Sequence, residues 1–581
     1  MMKKYIFTIL SGILLTTGLI AQQPDTLLRR QLQLEREFNP TLQDANKIRT
    51  LPTLPVPEVK KANISYSNWG GRITPPLEIA IPVPSEIMTA IPFDKSKGYA
   101  SLSAGNYANI DGALGFRIIS NEKNDLRFDF NHYSTNAVIK YSQESNPQTN
   151  KAFLMDDIGQ LRFNHYLKSS KLNAYTSYLH SMYNYYGNSF GNIRTFNDEN
   201  QKLKAFNLGI ELESTSDKWL QYKGYADYKN FSTKYGSTLV NEGIKGNQFN
   251  LGINLNKPIQ DKGSALGING ELFNTFYGKT NDPAVVDYKN YSLVKVNPYI
   301  VFEGLNWRTL LGVNVMLQQH DKLELRLTPN IELGLKITDH SSIFANLKGG
   351  YDNNTFLNIW NESRYITPTT VVKPSITYLD INGGIKIGEL DGFRFDILGG
   401  YKRTDNEHFF ILDNFNELNT LDLLPQDMIR ESLSPAYAEL THSYLGGMIQ
   451  SNIWAPLEIS VHLKKNFYKT KNMTIDATEV ANSQAYNMPG WESKLAATYN
   501  ASNNLKFTLN YYYANDRWSY LRGENVKMNN INDLNIGASY LITPKLSLNL
   551  KANNLLSQEY DIWYGYPAQG LNMMGGVTLK F

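Results

Sequence analysis

From residue 97 to the end of the chain, apolar residues recur at every second position in one short run after another. Phe206, Leu208, Ile210 and Leu212 make one run, Phe249, Leu251, Ile253 and Leu255 another, and Ile331, Leu333, Leu335 and Ile337 a third. Between them stand Asn207, Glu211, Asn250, Asn254, Glu332 and Lys336. A period of two is the signature of a strand with one apolar and one polar face. The pattern returns at Leu114, Phe116 and Ile118, at Leu457, Ile459, Val461 and Leu463, and at Leu505, Phe507, Leu509 and Tyr511. Stacked sheets could bury such faces against each other, but so many consecutive amphipathic strands suit a single sheet closed on itself with its apolar face turned to lipid.

Composition supports the second solution. The chain has 581 residues and a mean hydropathy of −0.38. Beyond residue 21 it has no apolar run of about 20 residues, so no spanning helix is available. A large barrel is polar on average, because half of every strand faces a wet interior. Tyrosines number 37 against 26 Phe and 8 Trp. They are predicted at the membrane–water girdles, where an apolar ring with a polar tip is at home. The absence of Cys excludes disulfides, thiolate metal sites and cysteine nucleophiles together. Net charge is only +3, with 57 basic residues interspersed among 54 acidic ones, so nucleic acid is not indicated as a partner.

The first residues carry an export signal: Lys3 and Lys4, an apolar stretch over 6–20, and Ala21 before Gln22. Residues 1–21 are read as a signal peptide and 22–96 as a Pro-rich extension. Within the extension, 25–48 shows an uneven helical stripe broken by Pro40 and is expected to meet a periplasmic or outer-membrane protein partner. Residues 62–94 are expected to fold into the barrel lumen or against its periplasmic mouth, since their Pro density lowers the entropic cost of an extended path.

The end of the chain is the most specific stretch. Leu571, Met573, Gly575, Val577, Leu579 and Phe581 alternate with mostly polar neighbours, and Leu546, Leu548, Leu550 and Ala552 do the same one leg earlier. The run NLLSQEYDIWYGYPAQGLNMMGGVTLKF resembles the closing signature of TonB-dependent receptor barrels, in its Asn-Leu-Leu and Glu-Tyr pairs, its aromatic turn with Pro and Gly, and its final Phe. The resemblance implies an outer-membrane barrel of a Gram-negative cell, with Val577, Leu579 and Phe581 as the insertion signal met by the barrel-assembly machinery. It extends to the barrel alone, because neither a plug domain nor a TonB-contacting box can be read in residues 22–94.

Short polar links at 121–124, 169–171, 216–218, 339–341, 503–504 and 543–545 alternate with longer ones at 135–156, 189–200 and 413–434. Short turns belong on the periplasmic side and long loops outside, which gives about 22 strands. The expected fold is therefore all-β, a transmembrane antiparallel barrel of about 22 strands over 97–581, in contact with outer-membrane lipid. Its lumen-facing charges include Arg127, Asp129, Glu332, Lys336 and Lys551, and this mixture of signs does not suit an ion-selective ring.

Chemistry is sparse. Gly187 to Gly191 spell G-x-S-x-G, but in a Tyr-rich loop without the helix a nucleophile elbow needs. The histidines are scattered and expected to be solvated or at the girdle, and the acidic stretches at 197–200 and 405–408 lack calcium-loop spacing. The expectation is a non-enzyme without cofactor or metal, acting in transport or as a receptor-type channel. The alternative is a non-transporting structural subunit of an envelope assembly or secretion complex.

Overall fold

The computed structural model describes residues 97–581 except 142–148, 189–199, 216–218, 237–242, 260–263, 279–287, 369, 371, 389–391, 413–431, 476–477 and 522. The signal peptide and the Pro-rich extension, with the expected partner segment 25–48 and lumen segment 62–94, lie outside the described residues, as does the link 216–218.

Each strand from Gly98–Gly105 onward pairs antiparallel with the next, and the last, Asn572–Lys580, pairs back onto the first. The sheet has 23 strands, of which the two-residue Thr478–Glu479 is only an appendage of Leu457–Ile475, so 22 form the closed ring. Closure satisfies every strand edge, which a sheet in lipid requires. At the seam, Tyr99 lies opposite Lys580 and Gly105 opposite Met574. Gly98 and Phe581 exchange two backbone hydrogen bonds of 3.0 Å each. Gly576 is needed there: a Cβ would fall 2.6 Å from the Leu102 carbonyl oxygen and into Ser103 Oγ.

The alternating residues of the sequence sort themselves by face. Leu102, Leu208, Ile210, Leu251, Ile253, Leu325, Leu327, Ile385, Leu550 and Val577 are all exposed on the outside of the ring. Apolar surface on this scale is stable only against lipid. The barrel is therefore of the outer-membrane type.

Gly98 and Phe581 share one rim, and the tight turns after Ser120, Tyr166, Glu303, Thr338, Asn500 and Thr543 lie on that same rim. The opposite rim carries the long connections, which makes it the extracellular one. Two expected loops shrink here. Most of 135–156 is strand, as Asn124–Lys140 and Thr149–Tyr166 pair along their whole length, and the loop before 434 ends where Leu433–Ser451 begins. Residues 405–408 are likewise not a loop but part of the strand Phe393–Leu412, beside a register shift between Thr404 and Glu407. These extensions stand above the apolar band, where neither face meets lipid, so the alternation that marks a strand in the sequence disappears.

Candidate functional site

The extracellular mouth is crossed by the chain itself. Residues 353–374, which connect Ser341–Asp352 to Ser375–Ile387, include one short helix, α1 (Phe356–Glu362). Thr355 caps it by accepting a hydrogen bond from the Asn358 amide, and Phe356, Leu357, Ile359 and Trp360 on its apolar side are all buried. A seven-residue helix is marginal by itself and owes its stability to such packing.

What α1 and its flanks touch shows the path. On one side of the barrel, Arg364 Nη1 donates to both carboxylate oxygens of Asp156 at 3.0 Å, and Trp360 Nε1 donates to the Tyr183 hydroxyl at 3.0 Å. Asp156 belongs to the fourth strand of the ring, nine places before the strand from which the loop departs. Elsewhere on the ring, Gln248 Nε2 donates to Thr355 Oγ1 at 2.7 Å and the Tyr291 hydroxyl bonds Asn353 Oδ1 at 2.9 Å. On the far side, the His408 imidazole meets Glu362 at 2.7 Å, and Thr367 and Leu433 are joined through backbone bonds. A segment that reaches all these strands spans the opening.

A second connection, 554–571, meets the first over the lumen. Tyr566 stacks on Tyr365 with ring centroids 4.2 Å apart, and Tyr186 stands edge-on to both at 5.0 and 5.4 Å. Trp563 packs edge-on against Phe410 at 4.7 Å. Offset and edge-to-face pairs of this kind contribute about 0.5–1.5 kcal/mol each beyond their buried area. The hydroxyls are used as well: Tyr185 donates to the Ile366 carbonyl, Tyr186 to Pro567 and Tyr288 to Pro368. Burial pushes the hydroxyl pKa of Tyr185, Tyr186 and Tyr288 well above its ordinary value, so all three remain donors at any physiological pH.

Two guanidiniums, one partly and one wholly buried, hold the closure. Burial, the largest single influence, opposes the charge of Arg364, yet Asp156 together with the hydroxyls of Tyr365 and Tyr183 leaves its pKa raised. Arg517 is wholly buried and donates to the carbonyls of Asp561 at 2.8 Å and Ile562 at 2.5 Å. Among the described residues no carboxylate pairs with it directly, and burial lowers its pKa to about 10, still far enough above neutrality to keep the charge.

The sequence-predicted residues lie elsewhere. Glu332 is bridged by Lys348 at 2.6 Å and Arg308 at 3.6 Å, Arg127 pairs with Asp125 at 2.8 Å, and Lys551 lies 3.4 Å from Asp111. Lys336 meets Asp339 at 2.9 Å in a periplasmic turn, and Asp129 follows Arg127 on the same face of its strand. Glu332, Arg127 and Lys551 are thus paired within the wall. Val577, Leu579 and Phe581 are 45%, 47% and 44% exposed on the outer face, with Phe581 stacked on Phe116 at 6.1 Å. Of the G-x-S-x-G run, Gly187 and Asn188 belong to the loop, where the Asn188 amide bonds the Gly565 carbonyl, and residues 189–191 lie outside the described residues.

Many tyrosines expected at the girdle are instead in this closure, and His408 and His442 are buried rather than solvated. Tyr-rich YNYYGN at 183–188 and the apolar spacing of FLNIW at 356–360 were the available signals. A loop that is apolar on the solvent side of a barrel has to be covering something.

No family model and no curated protein matches the chain. Solved structures do match. The ferripyoverdine receptor of the outer membrane of Pseudomonas aeruginosa, bound to ferripyoverdine, aligns over 84% of this chain and 72% of its own, with 14% identity and a TM-score of 0.60. The siderophore receptor PiuA of Acinetobacter baumannii aligns over 84% and 82%, with 12% identity and a TM-score of 0.59. This is the barrel fold of TonB-dependent siderophore receptors. The ferric-catecholate import receptor Fiu of E. coli K12 aligns to the same extent, 84% and 82%, with 10% identity and a TM-score of 0.60. At these identities the likeness is one of fold, and the TonB-dependent receptor-like barrel lends no residue-level assignment to the mouth described above.

Proposed function

We propose that the protein is an outer-membrane transport or receptor-type channel whose extracellular mouth is held shut by its own loops, 353–374 and 554–571. The supporting observation is the crossing of the mouth by α1 and its flanks, fixed by Arg364 to the wall at Asp156. A ring of 22 strands is wide enough to need closing, as barrels of that size leave a lumen that is otherwise open. Loops anchored by a handful of hydrogen bonds and aromatic edges can be displaced by a ligand that offers better partners, whereas a β-wall cannot. The receptors that share the fold bind siderophores, and a ligand of that size, polar and metal-bearing, is the class proposed to act on this mouth from outside.

The second reading, a non-conducting anchor for an envelope assembly, is favoured by the completeness of the same closure, in which α1 is buried like a core helix. Cells expressing either the native chain or a chain with 354–372 replaced by a Gly-Ser linker separate the two. Vancomycin sensitivity that rises only with the linker supports a gated channel. Unchanged sensitivity in both, with a partner protein copurifying in stoichiometric amount, supports the anchor.

A further inference from the structure

At the extracellular rim, the outward positions of two strands on either side of a third turn from apolar to basic. On Phe393–Leu412, exposed Phe393, Ile397 and Tyr401 are followed by Arg403. On Leu457–Ile475, exposed Leu463 and Phe467 are followed by Lys469 and Lys471, which are also exposed. Between these strands, Leu433–Ser451 brings Thr441 and Glu439 to the same level. Register sets them side by side, with Arg403 opposite Thr441, Thr441 opposite Lys469, and Glu439 opposite Lys471. Together with Tyr401 they line a cleft of about 290 Å³.

The cleft carries three cations and one carboxylate, a net charge of +2. Glu439 is already engaged, by Arg403 at 3.7 Å and by Asn472 Nδ2 at 2.8 Å. Among the described residues, Lys469 and Lys471 have no ion pair. These cations face outward, beside lipid.

Their height tells what they meet. Arg403 lies ten residues along the strand from Phe393, about 33 Å at roughly 3.3 Å per residue, or about 25 Å in height at a tilt near 40°. That is the height of the apolar band of such barrels, so the cations stand where acyl chains end and headgroups begin. Aromatic Tyr401 and Phe467 mark the same level as interfacial residues. Basic side chains at that depth are complementary to phosphate. We propose that this cleft binds the phosphate-bearing headgroup of a lipid of the outer leaflet, with Arg403, Lys469 and Lys471 around the phosphate and Tyr401 and Phe467 against the apolar part of the lipid.

The test uses full-length protein in detergent, observed by native mass spectrometry with added lipid A, diacylglycerol or inorganic phosphate. The native chain is expected to hold one lipid A and no diacylglycerol, and millimolar phosphate is expected not to displace it. The triple variant R403Q/K469Q/K471Q is expected to bind lipid A on the order of a hundredfold more weakly, from roughly fivefold per cation removed. A control triple of equal charge change at the periplasmic turns, K123Q/K168Q/K545Q, is expected to bind as the native chain does. Equal binding by the native chain and R403Q/K469Q/K471Q overturns the proposal, as does equal loss in the control or displacement by free phosphate. Should the first triple fail to fold, as judged by heat-dependent gel mobility, K469Q and K471Q singly give the same reading at roughly fivefold each.

Discussion

Arg364 and Asp156 form the contact on which the closed mouth depends most, because both side chains are largely buried, at 26% and 17% exposure. Removing one partner of such a pair leaves an uncompensated charge, at a cost of about 3–5 kcal/mol, while replacing both by apolar residues is often nearly neutral. Arg364→Met is therefore expected to free the loop without unfolding the barrel, seen as protease cleavage within 353–374 on intact cells. The double variant Arg364→Met with Asp156→Leu is expected to be cut more slowly than the single one. Equal cleavage of native and Arg364→Met protein would show that the pair does not hold the loop. Trp360→Ala is expected to act in the same direction, since truncating a buried Trp costs about 3–5 kcal/mol. Neither partner could be picked from the sequence: one Arg and one Asp separated by 208 residues have no spacing to betray them. The tyrosines misled for a related reason. A ring with a polar tip suits a membrane interface and a buried hydrogen-bonded cluster equally well, and composition cannot choose between them.

The strands were legible because a sheet between lipid and water must alternate, and the closing strand is the clearest of them. Asn572–Lys580 is paired on both sides, to Leu546–Asn553 and to Gly98–Gly105, with Val577, Leu579 and Phe581 turned outward. A charge on that face costs up to roughly 2–4 kcal/mol at the midplane for Arg or Lys and less for Asp, so Leu579→Asp with Phe581→Asp is expected to lower the amount of protein in outer-membrane fractions. Normal levels would mean that these residues are not an insertion signal. Gly576→Val is expected to impair closure more severely, because its side chain would enter the backbone of the first strand; heat-dependent gel mobility indistinguishable from the native chain would contradict that. The strand ends and α1 were less legible. Above the apolar band both faces of a strand are wet or packed under loops, so Phe409, Phe410, Ile411 and Leu412 are consecutive buried residues with no alternation at all. The helix is shorter than two full turns, too brief for periodicity to show.

On the scale of the molecule, the sequence supports a ring of about 22 strands with short turns at one rim, and the structure has 22 and that polarity. What could not be read was the closure, because it is made by residues far apart in the chain that the topology brings over one opening. Glu332, Arg127 and Lys551 of the wall are paired with neighbouring wall charges, the expected lumen segment 62–94 lies outside the described residues, and the seal we propose is the one made by the extracellular loops. Single-channel recording of the full-length protein in planar bilayers tests that assignment most directly, comparing the native chain with one whose residues 354–372 are replaced by a Gly-Ser linker. The closed mouth predicts a silent native barrel and large, stable conductance steps from the linker form. A native barrel that conducts as freely as the linker form, or a linker form as silent as the native one, would contradict it.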